Sequence, residues 1–303
     1  MKKVLVVAGP TAVGKSDFAV RLAKKFNADI ISGDSIQVYR GLDIGSGKVT
    51  ENEKQGVTHY LIDILDSKDS YSVADFQKMA RQIIDTSVRR CIICGGTGLY
   101  LKACLYDYDF EEEDHELSVD PELESYTNDQ LYAMLQKSDP VQAEKIHKNN
   151  RRRLLRSLTI QRHTGRIQSD IEKEQSHRPI YDIFIVGCTM DREKLYDRIN
   201  RRVEGMMQQG LEEEIDTLLV HGVTFEDACM KGIGYKEWRP YFEGTMEKEQ
   251  VVAEIQKHSR QFAKRQYTWF NHQLPMHWCD MTNEKEVESM IETIQQWYEG
   301  EIL

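Results

Sequence analysis

The fold of this chain follows from one stretch near its N-terminus, Gly9-Pro10-Thr11-Ala12-Val13-Gly14-Lys15-Ser16. The stretch matches G-x-x-x-x-G-K-[ST], the phosphate-binding P-loop. Residues 3–8 before it, KVLVVA, predict a short buried strand. Residues 16–26 after it predict a helix, whose apolar face carries Phe18, Ala19, Leu22, Ala23 and Phe26. A strand, a glycine-containing loop and a helix in this order are the context in which the pattern binds phosphate.

All eight residues of the loop are therefore candidate phosphate-binding residues. The glycines let backbone N–H groups curl round a phosphate, and the helix N-terminus adds partial positive charge. Lys15 supplies a mobile cation, and the Ser16 hydroxyl can reach a magnesium ion. We predict a phosphate site here rather than a glycine-rich turn without function.

Composition indicates a globular protein. Of 303 residues, 40% are hydrophobic and 30% are charged, and the formal net charge is −10. No apolar run approaches a membrane span and the apolar start is too short for a signal peptide, so we expect a cytoplasmic protein without membrane contact. The acidic balance does not by itself indicate nucleic-acid binding. Cys91 and Cys94 have C-x-x-C spacing inside an apolar strand pattern, which favours core thiols over a redox or zinc pair.

Strand and helix patterns alternate along the first part of the chain. Strands are predicted at 28–32, 60–65 and 91–94, with a helix at 72–89, which is typical of a parallel α/β sheet. In such sheets ligands bind at the carboxyl ends of the strands. That edge would bring together residues 9–16, 34–37 and 95–97.

A helical insertion interrupts this pattern. We predict helices at 128–137 and 141–163, before a strand at 181–188 resumes the sheet. A long amphipathic helix or helix pair follows at 191–221, and the rest is helical apart from a strand at 277–280. The predicted fold is thus α/β, with a P-loop NTPase-like core formed by residues 1–114 and 179–303 and an insertion domain at 115–178.

Four further positions are candidates for chemistry. Asp34 follows a predicted strand through Gly33, so it is a candidate general base, magnesium ligand or helix N-cap. Thr97 lies in a glycine-rich turn at the same edge. Arg202, beside Arg201 on the long helix, is a candidate for neutralising phosphoryl charge, although most helix arginines are solvated. Asp63, which follows Tyr60-Leu61-Ile62, is in the position of the acidic residue that ends a nucleotide-binding strand, but it is interpreted as structural.

Five segments make the sequence resemble the bacterial tRNA dimethylallyltransferase family. They are GPTAVGKS at 9–16, GDSIQVYRGLDIGSGK at 33–48, GGTGLYL at 95–101, KGIGYKE at 231–237 and AKRQYTWF at 263–270. The resemblance covers nearly the whole chain in the family's order. Gly47-Lys48-Val49 departs from it, because the family usually has alanine, lysine and proline there. The zinc finger of eukaryotic members has no counterpart here.

The resemblance implies a transferase built on a P-loop fold. It moves the dimethylallyl group of dimethylallyl diphosphate to N6 of adenosine 37 in tRNA and releases diphosphate, leaving N6-isopentenyladenosine. Residues 9–16 would hold the diphosphate, with Mg²⁺ on Ser16 bridging its oxygens. Asp34 would be the base beside the attacking amine, and Thr97 and Arg202 would contact the diphosphate. The target base would be flipped out of its stack.

The resemblance also implies contacts with the tRNA anticodon stem-loop. It assigns them to three segments: Asp34, Ser35, Ile36 and Gln37; Arg152, Arg153, Leu154, Leu155 and Arg156; and Lys231, Gly232, Ile233, Gly234, Tyr235 and Lys236. Arginine clusters hold phosphates, although a basic run on a helix is commonly a solvated face. We expect the protein to be a monomer.

Three other functions fit parts of the pattern. A P-loop small-molecule kinase would use the same loop and arginines, but GDSIQVY at 33–39 argues against it. An adenylate isopentenyltransferase acting on free nucleotides shares the fold, but has no need of an insertion with a basic cluster. A P-loop switch or RNA-binding module is disfavoured by the acidic charge and by Asp34.

Overall fold

Apolar runs in the sequence form a six-stranded parallel sheet in a computed structural model, which describes residues 1–108, 120–174 and 178–301. The strands are β1 (Lys3–Ala8), β2 (Ala28–Ser32), β3 (His59–Tyr60), β4 (Arg90–Gly95), β5 (Asp182–Thr189) and β6 (His277–Asp280). Their order is β3-β2-β4-β1-β5-β6, and every neighbouring pair is parallel. The predicted α/β fold with a parallel sheet is confirmed.

The register of the central strands aligns their carboxyl ends. Ala8 of β1 pairs with Gly95 of β4 on one side and with Gly187 of β5 on the other. The P-loop and residues 96–97 therefore leave the sheet at the same edge, as parallel pairing requires.

The third predicted strand is largely wrong. Only His59–Tyr60 forms a strand, because Leu61 and Asp63 have φ values of 61° and 55°, and Leu65 makes no more than an isolated bridge with Tyr39. Such left-handed backbone cannot continue a strand. Asp63 does not end a strand, and its carboxylate is paired with the Lys48 ammonium.

The chain divides into two units. One comprises Met1–Leu105 with Pro179–Leu303, and the other comprises Tyr106–Arg178. The insertion thus begins earlier than residue 115, the boundary expected from the sequence, which itself lies outside the described residues. The first part of unit 1 contains α1 (Lys15–Phe26), α2 (Glu51–Lys54), α3 (Val73–Thr86) and α4 (Gly98–Leu105).

Unit 2 is helical as far as it is described. It contains α5 (Pro121–Ser125), α6 (Asn128–Ser138), α7 (Pro140–Lys145), α8 (Arg151–Thr164) and α9 (Gln168–Glu174). The single helix predicted at 141–163 is two helices, because α7 ends at Lys145 and Asn150 caps α8 by accepting from the Arg153 N–H. Side-chain caps of this kind fix where a helix begins.

Unit 1 resumes after β5 with α10 (Arg192–Gln208), α11 (Leu211–Val220), α12 (Arg239–Phe242), α13 (Lys248–Gln273) and α14 (Glu284–Glu299). The pattern at 191–221 is a helix pair, separated at Gly210, whose φ is 94°. Helices α1 and α14 bury apolar faces with the sheet strands, while α10, α11 and α13 share a second core with residues 38–42. Among the described helices, none combines the length and apolar character of a bilayer span.

Candidate active site

The P-loop conformation depends on two glycines. Gly9 has φ 150°, and a Cβ there would lie 2.6 Å from the Cys188 carbonyl oxygen. Gly14 has φ 99° and precedes α1. Because glycine has no side chain to cap the helix, the N–H groups of the first turn face the loop without a side-chain acceptor. Lys15 turns back over the loop and donates to the Pro10 carbonyl at 2.6 Å.

The loop and α10 place two cations close together. Burial lowers the pKa of the Lys15 ammonium from its ordinary 10.5, the Arg202 charge lowers this pKa further, and the Asp34 carboxylate opposes both. Burial also lowers the pKa of Arg202, again against the influence of Asp34. Two cations that destabilise each other in a half-buried site favour a polyvalent anion. Ser16, the predicted magnesium contact, is exposed at the start of α1.

The cysteines beneath the loop are structural. Burial raises the pKa of Cys94 to about 11 and that of Cys188 still higher, so both thiols are protonated at neutral pH. All six cysteines are free. The described residues contain no group of three or more His, Cys, Asp or Glu side chains suited to a metal ion. The core-thiol interpretation of the C-x-x-C spacing agrees with this.

Asp34 lies just past β2, half-buried and oriented by its own turn. Its Oδ1 accepts from the Ile36 N–H at 2.8 Å and the Gln37 N–H at 3.3 Å. Residues 35–38 form turns rather than a helix, so the helix N-cap interpretation is wrong. The turn fixes the carboxylate near Lys15 and Arg202, whose pKa values it influences.

Close backbone contact brings the ends of β2 and β4 together. A Cβ on Gly95 would lie 2.4 Å from the Gly33 carbonyl oxygen, and the Gly33 N–H donates to the Cys94 carbonyl at 2.8 Å. Thr97 follows at the start of α4, where its carbonyl accepts from the Tyr100 N–H. The structure therefore gathers the P-loop, Asp34 and Thr97 at one sheet edge.

Arg202 approaches this edge from α10. Its Nη2 donates to the Gly47 carbonyl at 3.3 Å, and a Cβ on Gly47 would lie 1.6 Å from the same nitrogen. The Gln37 side-chain amide donates to the same carbonyl at 3.2 Å. Arg201 instead is exposed and pairs with Asp197 at 3.0 Å, so only Arg202 of the two is placed for chemistry.

Two residues hold the loop at 43–46: Glu214, to which the sequence analysis gave no role, and Tyr235, which it placed among the tRNA contacts. The Glu214 carboxylate accepts from three successive backbone N–H groups, those of Asp43, Ile44 and Gly45, at 2.6–3.1 Å. The Tyr235 hydroxyl accepts from the Ser46 N–H and donates to Glu214. These contacts position Gly47 under Arg202.

The predicted tRNA segment at 231–236 thus has a structural part. Tyr235 is fully buried, Gly232 lies against Ile36, and Gly234, at φ 100°, lies against the Gly45 backbone. Lys231 and Lys236 are exposed. A tRNA contact by the Tyr235 ring would need this core to open, so we assign the ring to loop support.

The arginine cluster lies in unit 2. Arg152, Arg153 and Arg156 are exposed on α8, whereas Leu154 and Leu155 are buried in the core of this unit. Any contact that this stretch makes with tRNA therefore rests on its arginines. Arg151 has another task, because it donates to the carbonyls of Tyr126 and Glu124.

The structure adds two candidates that the sequence analysis did not name. Gln266 of α13 accepts from the Thr11 N–H at 3.0 Å and donates to the Gly96 carbonyl at 2.9 Å. Arg198 lies one turn before Arg202 on α10, with its Nη1 3.8 Å from the position of a Cβ on Gly14. The i, i+4 spacing of the two arginines was a usable signal. Gln266 lies in the AKRQYTWF segment at 263–270, but no spacing or pattern singled it out within that segment.

A model of the IPP transferase family matches residues 37–273 of the chain. The chain belongs to the tRNA dimethylallyltransferase family. Curated members from Anoxybacillus flavithermus and Bacillus subtilis are 43% and 44% identical to it, covering 99% and 94% of this chain and 97% and 93% of their own lengths.

Solved structures of the family agree. A tRNA delta(2)-isopentenylpyrophosphate transferase from Staphylococcus epidermidis is 40% identical, with a TM-score of 0.72, over 99% of this chain and 100% of that one. A eukaryotic dimethylallyltransferase acting on tRNA is 30% identical, with a TM-score of 0.80, over 92% of this chain and 74% of that one. The predicted family is confirmed.

Proposed function

We propose that this protein transfers the dimethylallyl group of dimethylallyl diphosphate to N6 of adenosine 37 in tRNA, releasing diphosphate. The observation that carries the proposal is one sheet edge at which Lys15 and Arg202 lie within electrostatic range of each other and of Asp34. The two cations can stabilise a diphosphate leaving group, and the carboxylate can accept a proton from the attacking amine. Family membership supplies the substrates.

The proposed step breaks the C1–O bond of dimethylallyl diphosphate as the bond from N6 to C1 forms. Negative charge then develops on diphosphate, where the loop N–H groups, Lys15 and Arg202 stabilise it. The amine is a weak nucleophile and gains positive charge as the bond forms. Asp34 accepts its proton through the oxygen that does not hold the turn, while Oδ1 keeps its two backbone donors.

Mg²⁺ is part of the proposal. The Ser16 hydroxyl is exposed at the start of α1 beside Lys15, and Mg²⁺ is commonly bound by one or two protein oxygens together with phosphates and water. A dedicated cluster of acidic ligands is therefore not needed. When bound, Mg²⁺ would neutralise charge on the diphosphate oxygens.

The proposed tRNA element is the anticodon stem-loop, with its target base flipped into the site. A stacked adenine cannot present N6 to a residue recessed at a sheet edge. Asp34 and Gln37 lie on the loop that follows β2, and Asp34 is within electrostatic range of Lys15 in the P-loop. The exposed arginines of α8 would hold tRNA phosphates, which position the substrate without reading its sequence.

The deciding experiment incubates the purified protein with labelled dimethylallyl diphosphate and unmodified tRNA. We expect label in tRNA and stoichiometric release of diphosphate, and nuclease digestion should place the label on adenosine 37. A transcript with guanosine at 37 is the control. Label in AMP but not in tRNA would indicate the free-nucleotide enzyme, and phosphate transfer from ATP would indicate a kinase.

A further inference from the structure

Gln266 ties together two loops of the proposed site from a distant part of the chain. Its carboxamide accepts from the Thr11 N–H of the P-loop and donates to the carbonyl of Gly96, which precedes Thr97. These partners are 255 and 170 residues away in sequence. The residue is only 5% exposed, and fully buried Ala263 and Phe270 lie one turn away on either side along α13.

Both contacts need a neutral amide. The Thr11 N–H requires an acceptor and the Gly96 carbonyl requires a donor, so only one orientation of the carboxamide satisfies both. A Cβ on Gly96 would lie 2.3 Å from the Gln266 Nε2 and 3.4 Å from the Gly9 carbonyl oxygen. The two loops and the amide are thus in direct contact, and a shift of either loop would break one of these part-buried hydrogen bonds.

We propose that Gln266 is a positioning residue that sets the spacing between the P-loop and Thr97, so that both loops hold the same diphosphate. The inference rests on the proposed function for the identity of the ligand. The Gln266 oxygen accepts from Thr11 and its nitrogen donates to Gly96, and both partners belong to the loops of the proposed diphosphate site. The effect of Gln266 therefore falls on diphosphate binding rather than on tRNA binding.

The test compares Gln266→Met and Gln266→Glu with the parent protein. Methionine has a similar length and makes neither bond. Glutamate keeps the acceptor for Thr11, loses the donor to Gly96 and adds negative charge beside the loop. Gln273→Met and Gln273→Glu are matched controls, because Gln273 is exposed at the end of the same helix and accepts from Lys102.

Calorimetry with inorganic diphosphate and steady-state kinetics give the readouts. We expect Gln266→Met to raise the Kd of diphosphate and the KM of dimethylallyl diphosphate about tenfold, as loss of two ordinary hydrogen bonds implies. Gln266→Glu should raise both more. The Kd of tRNA and both controls should stay within about twofold of the parent, the scatter expected of near-neutral changes.

A purely structural role for Gln266 would lower the melting temperature and the active fraction, hence kcat, without moving the KM of dimethylallyl diphosphate. That result, or unchanged diphosphate affinity in both Gln266 variants, overturns the inference. Failure of both variants to fold also overturns it, because the amide would then be a folding requirement. If the parent itself neither binds diphosphate nor modifies tRNA, the proposed function fails first, and the parent assay shows this separately.

Discussion

At the scale of single residues, the positive charge of the P-loop lies on Lys15. Its ammonium donates to the Pro10 carbonyl, while burial and the Arg202 charge lower its pKa. A lowered pKa in a cation means that the charged form is disfavoured until an anion compensates it. Binding of a diphosphate and protonation of Lys15 should therefore be linked.

The linkage predicts proton uptake on binding. Bound diphosphate would raise the pKa of Lys15 again. The affinity of the protein for diphosphate should therefore fall as the pH rises from the lowered pKa that Lys15 has in the free protein towards its ordinary 10.5. Calorimetry in two buffers of different ionisation enthalpy measures the uptake. Lys15→Arg, which stays charged, should take up fewer protons, and equal uptake by the two proteins would contradict the prediction.

Asp34 offers a separate test of the base. Asparagine keeps an oxygen that can accept from the Ile36 and Gln37 N–H groups, so Asp34→Asn should keep the turn and the affinity for tRNA. The single-turnover rate should fall by about 10²–10⁴, the usual contribution of a general base. Asp63→Asn is the control, since Asp63 pairs with Lys48. Weaker tRNA binding at an unchanged rate would show that Asp34 positions RNA.

At the scale of elements, helix α8 separates a buried face from a basic one. Leu154 and Leu155 face the core of unit 2, while Arg152, Arg153 and Arg156 are exposed. If each arginine meets one phosphate of tRNA, replacing all three by alanine should flatten the log–log salt dependence of affinity by about two units. The modified base should stay the same, because phosphate contacts do not specify sequence.

Filter binding of tRNA at several salt concentrations measures this slope. A triple alanine variant of Lys24, Lys25 and Lys285 removes the same charge from exposed positions of unit 1 and should keep the parental slope. Equal slopes for the arginine variant and the parent would contradict the prediction and show that the arginines of α8 form a solvated helix face.

The elements also show where sequence patterns fail. Periodicity located β1, β2, β4 and β5 to within a residue or two, because strands buried on both faces are apolar throughout. It failed at 60–65, where Leu61 and Asp63 adopt left-handed backbone, and at 141–163, where the Asn150 cap begins a new helix. The backbone conformation of a single residue can end a strand or a helix, although the pattern of apolar residues in the sequence continues past it.

At the scale of the whole molecule, binding of diphosphate should increase the stability of the folded protein. A ligand that binds only the folded state stabilises it by about 2.7 kcal/mol at a concentration of 100 times its Kd. We expect inorganic diphosphate with Mg²⁺ to raise the melting temperature by several degrees, which calorimetry or dye fluorescence would detect. Lys15→Ala should lose most of the shift.

ATP provides the comparison. A kinase would be stabilised by ATP at least as strongly as by diphosphate and would turn it over. For a transferase that uses the P-loop to hold a leaving diphosphate, ATP should not be hydrolysed. A melting temperature that does not respond to diphosphate at millimolar concentration would count against the P-loop as the site of the leaving group.

The sequence by itself determined the strand–loop–helix unit at 3–26, the parallel sheet and the cluster of Lys15, Asp34 and Thr97 at its edge, because these follow from local patterns and from the rule that parallel strands end together. Only the tertiary structure decided that Glu214 and Tyr235 hold the loop under Arg202, and that Gln266 joins the P-loop to Gly96. These contacts join residues from about 170 to 255 positions apart. They depend on how whole helices pack, and a local pattern of apolar and polar residues carries no record of that packing.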